Sequence, residues 1–170
     1  MSRTSKSRPS GIGKSKALWL SLATSAVVAM VVWLSAPTMS SEDADIVVYK
    51  TPACGCCNKW IAHLRDNDFK VGVVSVRDTR HIQARLGVPR HLGSCHTAVV
   101  GNYWVEGHVP ADLVRRLVAE KPDGVRGIAV PGMPIGSPGM EGPYPVRYNV
   151  LAHGADGNTT VYAIRQGLAH

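Results

Sequence analysis

The apolar positions of this chain change character along its length. From 17 to 36 the sequence ALWLSLATSAVVAMVVWLSA carries no charge. At about 1.5 Å rise per residue such a run is long enough to cross a hydrocarbon core once as a helix. Trp19 and Trp33 lie near its two ends, where indoles favour the interface. A short polar linker follows over 37–44. Beyond it, period-two and helical spacings alternate. The β-branched run at 45–50 predicts a strand, ended by Thr51-Pro52. Trp60, Ile61 and Leu64 recur at helical spacing within 55–67. FKVGVVSV at 69–76 predicts a second strand, and 79–86 a helix that Gly87-Val88-Pro89 stops. Residues 97–100 and 103–105 predict a hairpin about Gly101-Asn102. Pro110 then opens a helix whose Leu113, Val114, Leu117 and Val118 share one face, and Pro122 ends it.

Residues 124–145 (GVRGIAVPGMPIGSPGMEGPYP) are so rich in Gly and Pro that no regular structure is expected there. They contain a short echo, Pro131-Gly132-Met133 and Pro138-Gly139-Met140. A last hairpin is predicted over 146–152 and 159–164, turned by Gly154-Ala155-Asp156-Gly157. Strand, helix, strand, helix, hairpin, helix is the layout of an α/β, thioredoxin-like fold. In that fold the first strand feeds a helix whose N-terminus presents a Cys-x-x-Cys pair, here Cys54 and Cys57.

The charge pattern sets the orientation of the front segment and removes one function class. Five of the seven net positive charges, Arg3, Lys6, Arg8, Lys14 and Lys16, precede residue 17. They predict a cytoplasmic basic tail over 1–16, a transmembrane or signal-anchor helix over 17–36, and export of the domain at 45–166, to a bacterial periplasm. An uncleaved anchor in the inner membrane is favoured over a cleaved signal peptide, because no clean A-x-A site follows and Pro37 sits directly after Ala36. No basic stripe interleaved with aromatics remains in the exported part, so nucleic acid is excluded as a partner.

The chemistry is concentrated in sulfur. Cys54-Gly55-Cys56-Cys57 holds three of the four cysteines, and the fourth, Cys95, is followed by His96. A helix N-terminus favours the thiolate form, which binds metal and attacks disulfides. Three readings stand. A thiol–disulfide oxidoreductase would use Cys54 as nucleophile and Cys57 as resolving thiol. Against it, Cys56 adds a third thiol, and His96 occupies the place where thioredoxins carry a proline. A structural zinc module needs two spaced ligand pairs, which one Cys-x-Cys-Cys and one Cys-His match poorly. Clustered thiolates with soft thioethers, such as those of Met133 and Met140, suit Cu(I) better. Adjacent Cys56 and Cys57 are poorly placed to chelate one ion but can bridge several, so a multinuclear site is expected, its thiols converging on metal instead of pairing with each other. His96 and His108 are further candidate ligands.

Four motifs in order, Cys54-Gly55-Cys56-Cys57, Ser94-Cys95-His96-Thr97-Ala98-Val99-Val100, Glu106-Gly107-His108-Val109-Pro110 and Gly132-Met133-Pro134-x-Gly136-Ser137-Pro138-Gly139-Met140-Glu141, resemble the CopG-type copper-resistance proteins, a thioredoxin-like metal-binding family. The resemblance runs from about residue 45 to 166. It implies a periplasmic protein with a cysteine-bridged copper cluster, handling Cu(I) and Cu(II) under copper stress alongside other periplasmic copper-handling proteins. It implies Cys54, Cys56, Cys57 and Cys95 as ligands, with His108, and it strengthens Met133 and Met140. If the protein turns over as an enzyme, the class expected is a copper oxidoreductase.

Overall fold

The computed structural model describes residues 43–167. The basic tail, the apolar run and most of the linker lie outside them. Among the described residues no helix is long and apolar enough to cross a membrane. The elements are β1 (Ile46–Lys50), α1 (Gly55–Asp66), β2 (Val71–Ser75), α2 (Arg80–Leu86), β3 (His96–Val100), β4 (Tyr103–Gly107), α3 (Ala111–Glu120), β5 (Val125–Val130), β6 (Arg147–Gly154) and β7 (Thr159–Gln166). The expected strands, helices and hairpins are present, with ends moved by one or two residues.

One expectation fails. The first part of the Gly/Pro-rich segment is a strand, β5, and only 131–145 lacks regular structure. Pairing overrides composition here. β5 runs parallel to β4 and antiparallel to β6, so its backbone groups are satisfied on both edges. Gly127 sits where the β5–β6 register shifts, directly opposite Trp104. A β-carbon at 127 would lie inside the Trp104 ring. The glycine that makes the segment look irregular is what lets a strand pass under an indole.

The seven strands form one mixed sheet in the order β2-β1-β3-β4-β5-β6-β7. β1 and β2 are parallel, joined by α1, and β4 and β5 are parallel, joined by α3. β3 is antiparallel to both of its neighbours. Helices α1 and α3 cover one face. Trp60, Ile61 and Leu64 of α1 and Leu113, Val114 and Leu117 of α3 pack on Ile46, Val48, Ala98, Val105, Ile128 and Val150. Side chains alternate along a strand, so Trp104 and Ala129 point to the opposite face, where Val88 and Leu92 cover them. Trp104 therefore packs the second face of the sheet.

The register decides what meets at the sheet edge. Lys50 pairs with His96, Thr97 with Glu106, and Gly107 with Val130. The end of β1, the start of β3, the end of β4 and the end of β5 thus share one edge. The segments that continue from them carry Cys54–Cys57, Cys95-His96, His108 and the Met133–Met140 loop.

Replacing Gly127 by alanine should lower the unfolding free energy by about 2–3 kcal/mol, because neither the indole nor the paired backbone has room to yield. Urea denaturation of the variant beside the parent protein checks this. A midpoint unchanged within error would mean that β5 is not seated under Trp104 as described.

Candidate metal centre

The cysteine turn is built by a β1-to-α1 connection with little freedom. Lys50 is buried, and its Nζ donates to the carbonyl oxygens of Thr51 at 2.8 Å and Pro52 at 3.4 Å, folding the chain toward Cys54. Cys54 is the N-cap of α1 and makes no side-chain cap hydrogen bond, and no acidic residue occupies the first turn. The free N–H groups of the first turn and the helix dipole therefore favour negative charge on the sulfurs placed there. Cys54 and Cys57 are joined by a disulfide, their Cα atoms 5.4 Å apart, within the separation a disulfide requires. In this form the expectation of unpaired thiols holds only for Cys56 and Cys95, both half-buried.

The second strand of the site brings the fourth sulfur in. Cys95 Sγ lies 3.5 Å from Cys57 Sγ, and Cys56 Sγ lies 3.6 Å from Cys54 Sγ. All four sulfurs are within 4.8 Å of one another. Cys95 also belongs to a second group with His96 and His108, whose ligand atoms meet the same limit. Its sulfur is 3.5 Å from His96 Nδ1 and 3.8 Å from His108 Nε2.

Both imidazoles are fully buried. The His96 ring lies against Trp60 at a centroid separation of 4.4 Å and meets His108 edge-on at 5.2 Å. Trp60 is itself fixed by an Nε1–H bond of 2.8 Å to the carbonyl of Val109. His96 Nε2 is buried without a hydrogen-bond partner, an open lone pair or an unspent proton in a place where most polar atoms are satisfied.

The Gly/Pro loop closes the site from above. His108 Nδ1 lies 2.8 Å from the carbonyl oxygen of Pro138. A carbonyl only accepts, so Nδ1 carries the hydrogen and Nε2 keeps its lone pair on the side of Cys95. Gly139 follows with φ +83°. A β-carbon there would stand 2.7 Å from Trp60 N, 2.9 Å from Cys56 O and 3.2 Å from His108 Nδ1, so only glycine lets the loop come this close. Ser137, fully buried, donates to Pro134 O at 2.7 Å and holds the turn shut. Met140 is half-buried on this loop, and Met133 is 41% exposed.

Burial sets the protonation states. It pushes the Cys95 thiol up to about 11, helped by the neighbouring Cys56. It pulls His96 down to about 3, with His108 adding to the effect. It also lowers His108, against the pull of the Pro138 carbonyl. Without metal, then, the site holds neutral imidazoles and a protonated Cys95. A cation entering it displaces a proton from sulfur.

Two supporting residues owe their roles to tertiary contacts. Glu106 is fully buried, and its Oε2 accepts from Ser94 N at 2.8 Å and from Gln83 Nε2 at 3.2 Å. Gln83 also donates to Ser94 O at 3.1 Å. The carboxyl, raised to about 7 by burial, thus ties the turn before Cys95 to β4. It looked like one charged residue in a hairpin; only the Thr97–Glu106 pairing turns it inward. His63 accepts the Ala111 N–H on Nε2 at 3.0 Å and caps α3, outside the sulfur group.

The histidines give the metal-free, reduced protein a definite pH response. His96 binds a proton near pH 6.5 when unfolded and only near pH 3 when folded. Its contribution is complete above about pH 7 and is lost as pH falls below the unfolded value. Urea titrations should show a loss on the order of 3 kcal/mol from this group between pH 7 and pH 4. A His96→Gln variant should lose less over the same interval. Equal slopes for the two proteins would contradict the buried neutral imidazole.

Comparison with known proteins places these features in a family. Residues 92–140 match a family model described as "Protein of unknown function, DUF411". That span holds Cys95, His96, His108 and both methionines of the loop. No curated protein matches the chain. Two solved structures do. "Copper resistance protein copG- Form 2" is 44% identical over 71% of this chain and 96% of its own, with a TM-score of 0.67. "Copper resistance protein copG- Form 1" is 44% identical over 72% of this chain and 97% of its own, again with a TM-score of 0.67. At that identity over nearly the whole length of the solved chains, the protein belongs to the CopG-type family of copper-resistance proteins.

Proposed function

We propose that this protein binds copper, chiefly Cu(I), through Cys54, Cys56, Cys57 and Cys95, with His108 and His96 as further ligands, and that it serves copper resistance in the periplasm. The observation that carries the reading is the convergence of four sulfurs, from a helix N-terminus and the start of a distant strand, within 4.8 Å of one another. Thiolate and imidazole are the donors that a soft, monovalent copper prefers. The resistance role is supported by the printed names of the solved relatives.

The metal-binding form is the reduced one. Opening the Cys54–Cys57 bridge restores four thiols to a space that holds four sulfurs in contact. Adjacent Cys56 and Cys57 each face a different partner, Cys54 and Cys95, which favours bridging between ions over chelation of one. The site is therefore multinuclear in this reading. Met133 and Met140 are further candidate ligands on the loop that carries Pro138; Met140 is half-buried and Met133 stands further into solvent.

A thioredoxin-like ancestry accounts for the frame. The order β2-β1-β3-β4, the parallel β1–β2 pair and the cysteine pair at the start of α1 support it. The apolar run at 17–36 supports anchorage in the inner membrane, with other periplasmic copper-handling proteins as partners. Thiol–disulfide exchange remains the second reading, favoured by the Cys54–Cys57 bridge itself. It predicts that the metal-free dithiol form reduces insulin, an activity removed by Cys54→Ser and little changed by Cys95→Ser.

The copper reading predicts otherwise. Reduced full-length protein loaded anaerobically should take up more than one Cu(I) per chain, measured by elemental analysis after desalting. Cys95→Ser should lower that number while the circular dichroism spectrum stays unchanged. Zn(II) should load less and raise the melting temperature less. One copper per chain or fewer would contradict the multinuclear site, and no loss in Cys95→Ser would remove β3 from it.

A further inference from the structure

The face of the sheet away from α1 and α3 carries a charge pattern that the metal centre does not use. Val88 and Leu92, on the turn after α2, cover Trp104 and Ala129 there. The segment 77–91 that supplies this cover contains Arg77, Arg80, Arg85 and Arg90 and one carboxylate, Asp78. That carboxylate is taken up by Arg80, whose Nε donates to Oδ2 at 2.7 Å. Arg126 joins the group from β5, its Nη2 placed 3.9 Å from where a β-carbon on Gly87 would stand. Arg85, Arg90 and Arg126 are exposed, and their guanidinium groups make no hydrogen bond or ion pair with another described residue.

These arginines border two recesses. The larger, about 560 Å³, has Arg80 and Arg90 on its rim and Gly93 and Ser94 in its wall, so it lies against the turn that leads into Cys95. The smaller, about 250 Å³, lies between Arg85 and Arg126, with Asn102 and Trp104 in its wall. The Nε1–H of Trp104 is buried without an acceptor among the described residues. Like charges gathered on one face repel one another, and a surface of opposite sign relieves that repulsion. A flat layer of lipid headgroups would meet only the rims of such recesses, whereas a projecting carboxylate side chain can enter them.

We propose that this arginine face is a docking surface for an acidic protein, whose Asp and Glu side chains enter the two recesses and pair with Arg85, Arg90 and Arg126. Arginine presents a planar fork that takes a carboxylate through two parallel bonds. It is enriched at protein interfaces, where lysine is depleted, and the segment 77–91 contains no lysine. The partner is steered in by charge and sits beside the turn that carries Cys95. The inference goes beyond the copper reading and does not depend on which metal the sulfurs hold.

The test uses the reduced full chain in neutral detergent, with fluorescein-labelled decaglutamate as the acidic probe, read by anisotropy. The parent protein should bind it, and more weakly as salt rises. Two double variants are compared, R85E/R126E and K70E/K121E. Both change the net charge equally, so only location separates them; Lys70 and Lys121 are exposed and border neither recess. Affinity should fall about tenfold or more in the arginine variant and less than about twofold in the lysine variant. The milder R85Q/R126Q and K70Q/K121Q should follow the same order, and they carry the test if a charge reversal disturbs the circular dichroism spectrum. In a second arm the chain is placed in phosphatidylcholine nanodiscs with and without phosphatidylglycerol, and arginines are labelled with phenylglyoxal and mapped by mass spectrometry. Decaglutamate should protect Arg85 and Arg126, and phosphatidylglycerol should not. No binding by the parent, or equal losses in the arginine and lysine variants, overturns the proposal. Protection by phosphatidylglycerol gives the face to the lipid and overturns it as well.

Discussion

The register of four strands is the constraint from which this site follows. β1, β3, β4 and β5 are locked by Lys50–His96, Thr97–Glu106 and Gly107–Val130 pairings. Because β1, β4 and β5 point one way and β3 the other, three strands end and one begins at the same edge. A slip of one residue would turn every side chain on that strand to the other face. His96 would leave Trp60, Glu106 would leave Ser94, and Cys95 would lose its place beside Cys57. The large apolar core under α1 and α3 resists such a slip, so the stability of the sheet and the geometry of the sulfurs are one property.

On this frame the site is assembled by contacts that each fix one degree of freedom. Lys50 folds the chain into the cysteine turn, Glu106 and Gln83 hold the turn before Cys95, Trp60 backs His96, and the Pro138 carbonyl chooses the tautomer of His108. Most of these are backbone contacts. They set where the soft donors point. The bridge between Cys54 and Cys57 then makes the number of available sulfurs a matter of redox state, while the nitrogen donors stay constant.

Much of this was legible in the sequence, and the part that was not has a common cause. The Cys54–Cys57 cluster is local, and so is the Trp60, Ile61 and Leu64 stripe that places it at a helix start; both read directly. Cys95-His96 and His108 lie apart in sequence but follow from a strand order that the alternation of elements already implied. β5 was hidden because Val125-Arg126-Gly127-Ile128-Ala129-Val130 owes its strand to neighbours on both edges, and its glycine, a breaker by composition, is demanded by Trp104. Glu106 and His63 were hidden because burial and capping are tertiary facts: a carboxylate in a hairpin and a histidine on a helix look solvated until a partner strand or helix arrives. The spacing of Cys54 and Cys57 fits a bridge as well as a metal ligand pair, and spacing alone does not choose between them.

The central claim is that sulfurs from α1 and from the start of β3 surround the same copper ions. X-ray absorption at the copper edge, on reduced full-length protein loaded with Cu(I), tests it most directly. The account predicts a first shell dominated by sulfur with a minor nitrogen contribution, a resolved copper–copper scattering path, and a loss of both sulfur and copper–copper scattering in Cys95→Ser. A first shell of nitrogen and oxygen alone, or a spectrum that Cys95→Ser leaves unchanged, would contradict it.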